Sequence, residues 1–342
     1  MPNIKKITSQ KEYDFLRTKE YLKDNILFLA FGGSYAYGTS NADSDVDIRG
    51  CMLNRYSDLI GMTSTEQYID DKTDTLIYAF NKLISLLINC NPNTIEMLGC
   101  RPEHYLFFDG IGKELIANAH IFLSQRCTSS FGGYANQQLN RLKNAVARDA
   151  MPQAEKEGHI TRSINHAMLS FHDRYSEIPE GAIKLFVDKS DKHDLDAEIF
   201  MDISLTHYPL RDWTGMWSEM QEIAKRYGKL NHRNNKKDEN HLDKHAMHLI
   251  RLYLMVIDIL KKGEINTYRE DDLDFLQSIR KGYYRNGDGT YKAEFFKLVD
   301  HYEQLTKEAA KTTGLSKEPD MQKISAFVES VNERVIERWK SK

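Results

Sequence analysis

Six consecutive apolar residues, Ile26-Leu27-Phe28-Leu29-Ala30-Phe31, run straight into Gly32-Gly33-Ser34, and ten residues then separate Ser34 from Asp45-Val46-Asp47. A short unbroken apolar run that stops at glycine reads as a buried strand. Side chains two apart on a following strand point to the same face, so Asp45 and Asp47 are expected side by side. Two neighbouring carboxylates repel, and keeping both ionised usually takes a cation. Oxygen-only donors favour a hard ion such as magnesium (or manganese), which keeps waters and bridges carboxylates to substrate phosphates. The Gly-Ser turn offers backbone donors and a hydroxyl to a phosphate at the same place. Together these parts imply a nucleotide-phosphate site.

The fuller string, Gly33-Ser34-x-x-x-Gly38-Thr39 through Ser44-Asp45-Val46-Asp47-x-Arg49-Gly50, resembles the DNA polymerase β-like nucleotidyltransferase superfamily. Within it, the string is similar to the predicted nucleotidyltransferases associated with RNA-repair ligases of bacteria and phages. Two further stretches carry the resemblance: Asp74-Thr-Leu-Ile-Tyr-Ala-Phe-Asn-Lys82 with Asn91-Pro-Asn-Thr-Ile-Glu96, and Lys244-His-Ala-Met-His-Leu-Ile-Arg251. It extends from about residue 26 to residue 282. The resemblance implies an NTP substrate, a magnesium (or manganese) cofactor, and Asp45 and Asp47 as catalytic metal ligands. A third carboxylate should join them. Asp70, Asp71 and Asp74 are the candidates, and the resemblance favours Asp74. Gly33 and Ser34 are assigned to the incoming nucleotide's phosphates, and Thr39 is placed to reach one. Arg49 shares the carboxylates' face, where it could contact the triphosphate or neutralise the acids.

At 342 residues the chain predicts two domains, or one domain with a large appendage. The expected fold class is α+β: a small mixed-sheet palm over residues 1–111, followed by a helical second domain over 112–342. No apolar run approaches the ~20 residues of a membrane span, and the start lacks a signal-peptide apolar region, so a cytoplasmic address is expected. The four cysteines have no metal-binding spacing and fit reduced thiols. A formal net charge of −3 argues against a globally basic nucleic-acid binder but leaves room for a local basic groove.

Along the chain, residues 9–23 read as a helix opened by a Ser9/Glu12 capping box. Phe80, Leu83, Ile84, Leu87 and Ile88 mark a core-facing helix that ends before Pro92. Past residue 112 the patterns are helical, except that 183–204 resists division and 229–240 is a polar loop. Residues 241–262 form the strongest helix, closed by Gly263. Its Lys244, His248 and Arg251, with His241, make a basic stripe suited to triphosphate or polynucleotide phosphate. Zinc on His241, His245 and His248 is disfavoured because no carboxylate or cysteine in register completes a site. Tyr134, Gln138, Arg141, Lys143 and Arg148 give residues 129–150 a basic, partly aromatic face, more simply read as packing and solvation. Asn91 to Glu96 receives only a structural, helix-ending role.

The expected function is magnesium-dependent transfer of a nucleoside monophosphate from an NTP to a hydroxyl, with release of pyrophosphate. By resemblance, the acceptor is an RNA 3′ end such as damaged tRNA. The rivals are AMP transfer to a protein or small molecule, synthesis of a signalling oligonucleotide, and a catalytically silent nucleotide- or RNA-binding module.

Overall fold

The computed structural model describes residues 4–42, 44–108, 110–150, 153–175, 177–179, 181–192, 197–228 and 239–341. The chain separates into two compact units: Met1–Gln137 with Met247–Arg280 and Phe296–Lys342, and Gln138–Ala246 with Lys281–Phe295. Neither unit follows the expected 111/112 boundary.

The first unit is built on a five-stranded mixed sheet of order β3-β4-β2-β1-β5. The strands are β1 (Ile26–Phe31), β2 (Ile48–Met52), β3 (Gln67–Asp70), β4 (Thr75–Ala79) and β5 (Tyr105–Phe108). β1 pairs antiparallel with β2 and β5, β2 runs parallel to β4, and β3 closes back on β4 as a hairpin. Every residue of β1 is buried because both faces of the sheet are covered, as its uninterrupted apolar run requires. On one face Ile26, Leu29, Phe31, Ile48 and Ile77 pack with Tyr13, Leu16 and Leu22.

On the other face Leu27 and Phe28 meet α2 (Phe80–Ile88) through Phe80, Leu83 and Leu87. The same core takes in Leu252, Met255, Val256 and Ile259, and also Ile324, Val331 and Val335. Those residues lie far along the chain, which is why a cut at residue 111 does not isolate the palm. Helix α3 (Pro92–Leu98) begins at Asn91, whose side chain accepts from the Asn93 N–H in place of a missing helical bond.

The second unit contains a hairpin of β6 (Ile183–Lys189) and β7 (Ala197–Ile203), the stretch that resists division in the sequence. Lys184, Phe186 and Asp188 face out while Ile183, Leu185 and Val187 face in, a period of two. Its core joins Ile160, Ile164 and Phe171 of α5 (Gln153–Arg174) to Met216, Met220 and Ile223 of α6 (Leu210–Gly228). The other long helices are α4 (Arg126–Ala150), α7 (Glu239–Lys262), α9 (Ala293–Thr312) and α10 (Met321–Lys340), with the shorter α8 (Leu273–Arg280) between α7 and α9. Gly263 follows α7 at φ 69°, the left-handed stop expected of it.

The expected helix at 9–23 is instead a 3₁₀ turn, Lys11–Tyr13, and two single turns, Phe15–Thr18 and Glu20–Lys23. Gln10, not Ser9, precedes the 3₁₀ turn and makes no side-chain cap bond, while the Ser9 hydroxyl donates back to the Lys6 carbonyl at 2.8 Å. Residues 229–238 of the expected polar loop lie outside the described residues, and Glu239 and Asn240 already belong to α7. No disulfide joins any of the four cysteines.

Candidate active site

β1 ends where the Gly32 N–H donates to the Asp47 carbonyl at 2.8 Å, tying the small-residue turn to the Asp-x-Asp segment. Regular pairing of β2 begins only at Ile48, so Asp45 and Asp47 lie on the lead-in to the strand. Gly33 sits at φ 53°, and a Cβ there would lie 1.8 Å from Asp47 Oδ2. A Cβ on Gly32 would meet Arg49 Cγ at 2.8 Å. The two glycines therefore leave the room that the Asp47 carboxylate and the Arg49 stem occupy. Next comes α1 (Gly33–Tyr37), a five-residue turn closed by Gly38 at φ 75°. The Thr39 N–H reaches the Ser34 carbonyl at 2.9 Å. Thr39 is 2% exposed and its hydroxyl has no partner, so it lies beneath the turn and not on an open surface.

The segment between turn and carboxylates is held from α8. Arg280 donates to the Thr39 carbonyl and, at 3.3 Å, to Ser44 Oγ. Ser44 in turn donates to Asn41 Oδ1 at 2.7 Å. Burial lowers the pKa of the Arg280 guanidinium from its usual value.

Arg49 bridges two acids. One terminal nitrogen stands 3.1 Å from Asp47 Oδ1 and 2.9 Å from Asp74 Oδ1, and the other donates to the backbone carbonyls of Ile48 and Asp74. Of the two roles open to Arg49, the structure shows the pairing with acids. Asp74 is delivered by the parallel register of β2 and β4, where the Ile48 N–H bonds its carbonyl at 3.1 Å. It adopts φ 44°, a left-handed conformation uncommon for a residue with a side chain. Asp70 turns inward to its own hairpin, accepting from the Thr73 N–H at 3.0 Å and hydroxyl at 2.8 Å. Asp71 is exposed. Of the three candidate acids, Asp74 is the one joined to Asp47.

Beside these groups lies a cavity of about 820 Å³ whose lining includes Asp45, Arg49, Asp71, Asp74 and Tyr13. Among the described residues, no three His, Cys, Asp or Glu side chains converge as a ready-made metal cluster. The donors at the site are nonetheless carboxylate oxygens alone. One or two carboxylates, with water and substrate phosphate, make up a common magnesium shell. The donor chemistry fits such an ion.

The basic stripe on α7 is not one open face. Arg251 is 4% exposed, lies 3.0 Å from Glu96 Oε2, and covers the Tyr37 ring at 3.6 Å. The helix is buried on almost every side from Leu249 to Leu260, so helical spacing there selects no solvent face. Arg251 thus serves a buried carboxylate in place of the expected phosphate. His248 is half-buried with its ring edge-on to Tyr37 at 5.5 Å. Lys244 is exposed and belongs to the second unit. His245 Nδ1 pairs with Gln138 Oε1 at 2.9 Å, and the side chains of His241 and Arg148 lie outside the described residues. Tyr134 accepts from Asn91 Nδ2 at 3.2 Å, so it packs against the start of α3.

Glu96, Tyr37 and Arg280 are structural partners that reading the sequence did not single out for the site. For Glu96 there was a signal: an acid among Ile95, Met97 and Leu98 is almost never fully buried without a cationic partner. Burial pushes the Tyr37 hydroxyl well above its usual range, against the pull of Arg251. It therefore stays protonated and donates to Glu96 Oε1 at 2.7 Å.

Residues 4–165 match the model of the RNA repair pathway DNA polymerase beta family. The match spans the sheet, the glycine turn and all three of Asp45, Asp47 and Asp74, and it supports the resemblance read from those motifs. No curated protein and no solved structure matches the chain.

Proposed function

We propose, from the match of residues 4–165 to the RNA repair pathway DNA polymerase beta family, that the protein transfers a nucleoside monophosphate from an NTP to a hydroxyl acceptor at this site. The observation that carries the reading is the seating of the Asp47 carboxylate directly over Gly33, with Asp74 joined to it through Arg49. Asp45, Asp47 and Asp74 would hold magnesium or manganese. When bound, the ion supplies the Lewis acidity that activates the attacking oxygen and stabilises the departing pyrophosphate. Gly33 and Ser34 orient the triphosphate, the glycine by letting backbone approach it and the serine by its hydroxyl. Arg49 neutralises charge among the acids. The attacking hydroxyl oxygen bonds to the α-phosphorus as the bond from that phosphorus to the β-phosphate bridging oxygen breaks, and the hydroxyl proton passes to water. The acceptor proposed is an RNA 3′ end, with tRNA the first to try.

The test is incubation with labelled NTPs, magnesium and tRNA. RNA lengthened at its 3′ end supports the reading. Label on protein or on a small molecule, or free oligonucleotide, moves the acceptor to those classes and leaves the chemistry standing. Metal-dependent NTP binding with no pyrophosphate release makes this a binding module. Activity that survives Asp45→Ala and Asp47→Ala overturns the metal assignment.

A further inference from the structure

The five-residue turn Gly33–Tyr37 is far below the ~12–15 residues at which a helix begins to hold itself in water. Its shape must come from what grips it. At its end Tyr37 is buried and caught on three sides. Its hydroxyl donates to Glu96 Oε1 at 2.7 Å, Arg251 lies over its ring at 3.6 Å, and His248 meets the ring edge at 5.5 Å. Arg251 completes the ring of contacts by donating to Glu96 Oε2 at 3.0 Å. Glu96 is itself pinned, since Thr267 Oγ1 donates to its backbone carbonyl at 2.5 Å.

A buried ion pair is a poor source of stability, because desolvating both charges offsets most of their attraction, and apolar replacements are often neutral or stabilising. Burying Arg251 with its Nε unpartnered adds to that cost. What a buried charged network can supply is a single fixed geometry. Here the geometry it fixes is that of the turn whose first residue has no room for a Cβ beside Asp47. We infer that Glu96, Arg251 and Tyr37 are positioning residues that set the Gly33–Ser34 turn against Asp47 for nucleotide binding. This rests on the nucleotidyltransferase reading of the site.

The test uses the full chain and compares two variants with the parent. Tyr37→Phe removes one hydroxyl and keeps the ring. The double variant Glu96→Leu with Arg251→Met removes both charges together, so neither is left buried alone. Two quantities are read: the thermal midpoint, and ATP binding in the presence of magnesium by calorimetry. The expected result is a midpoint close to the parent's with nucleotide affinity weakened about tenfold, equivalent to about 1.4 kcal/mol. Parent-like affinity in both variants overturns the inference. So does a loss of affinity that only follows a falling midpoint, because that is the mark of a merely structural role. Failure of the parent itself to bind ATP, GTP, CTP or UTP overturns the nucleotidyltransferase reading, and the inference falls with it.

Discussion

At the scale of single residues, Gly33 and Arg49 decide the most. Gly33→Ala combines a left-handed backbone at φ 53° with a Cβ placed 1.8 Å from Asp47 Oδ2. The backbone part alone should cost about 1–2 kcal/mol, measured by denaturant unfolding. In an Asp47→Ala background the steric part disappears, so the cycle of single and double variants should show coupling of the two positions. Arg49 places positive charge between Asp47 and Asp74. Arg49→Gln should therefore tighten manganese binding to nucleotide-free protein about tenfold, equivalent to about 1.4 kcal/mol, as read by electron paramagnetic resonance of free manganese. Arg49→Lys keeps the charge but loses the fork that spans two acids. Tighter binding in both variants assigns the opposition to the bridge, and tighter binding in glutamine alone assigns it to charge. The nearness of the Gly33 turn to Asp47 was legible in the sequence because their motif is local. Arg251 was misread because its partner, Glu96, lies 155 positions away, and a helical stripe does not reveal what it faces.

At the scale of elements, the β3–β4 hairpin delivers Asp74, and its turn is closed by Asp70 accepting twice from Thr73. Asp70→Ala should lower stability by about 1–2 kcal/mol, the usual worth of charge-assisted bonds at a partly exposed site. It should also disturb Asp74 more than Asp45, so manganese affinity should change along with the unfolding midpoint. Unchanged manganese affinity would mean that the β2–β4 pairing holds Asp74 without help from the turn. In the sequence, residues 66–79 read as one strand region with a turn at Asp70-Asp71-Lys72; the structure divides it there into two paired strands. β5 was not legible: Tyr105–Phe108 is too brief to show a period, and it is a strand only because β1 offers an edge. The β6–β7 hairpin escaped for a different reason. Its inward residues are matched by outward phenylalanines, Phe186 opposite Phe200, which blur the alternation.

At the scale of the whole molecule, stability should depend on pH through buried histidine. His104 is 1% exposed, neither ring nitrogen has a partner, and Phe31 and Tyr268 pack against it at 6.1 and 5.7 Å. Burial holds its pKa below the ordinary histidine value; Glu103 opposes that shift and Arg101 adds to it. Burial lowers His159 in the second unit in the same direction. Unfolded histidine takes up a proton near pH 6.5, whereas these folded side chains do so only at lower pH. The unfolded chain then binds more protons, and stability falls as pH drops below about 6.5 towards the folded values. His104→Phe should flatten that part of a thermal-midpoint profile. A profile unchanged by the substitution would remove His104 from the effect. The layered α+β plan was visible from patterning alone, but the two compact units were not, because the core that joins Leu27 and Phe28 to Val256 and Val331 is assembled from distant segments. That shared core has a practical consequence. A fragment cut at residue 165 would keep the strands and acids of the matched family segment and lose Arg251 and Thr267, which bind Glu96, along with Tyr268, which backs Gly38. The matched segment is not portable: excised, it would carry the signature without the scaffold that gives it shape.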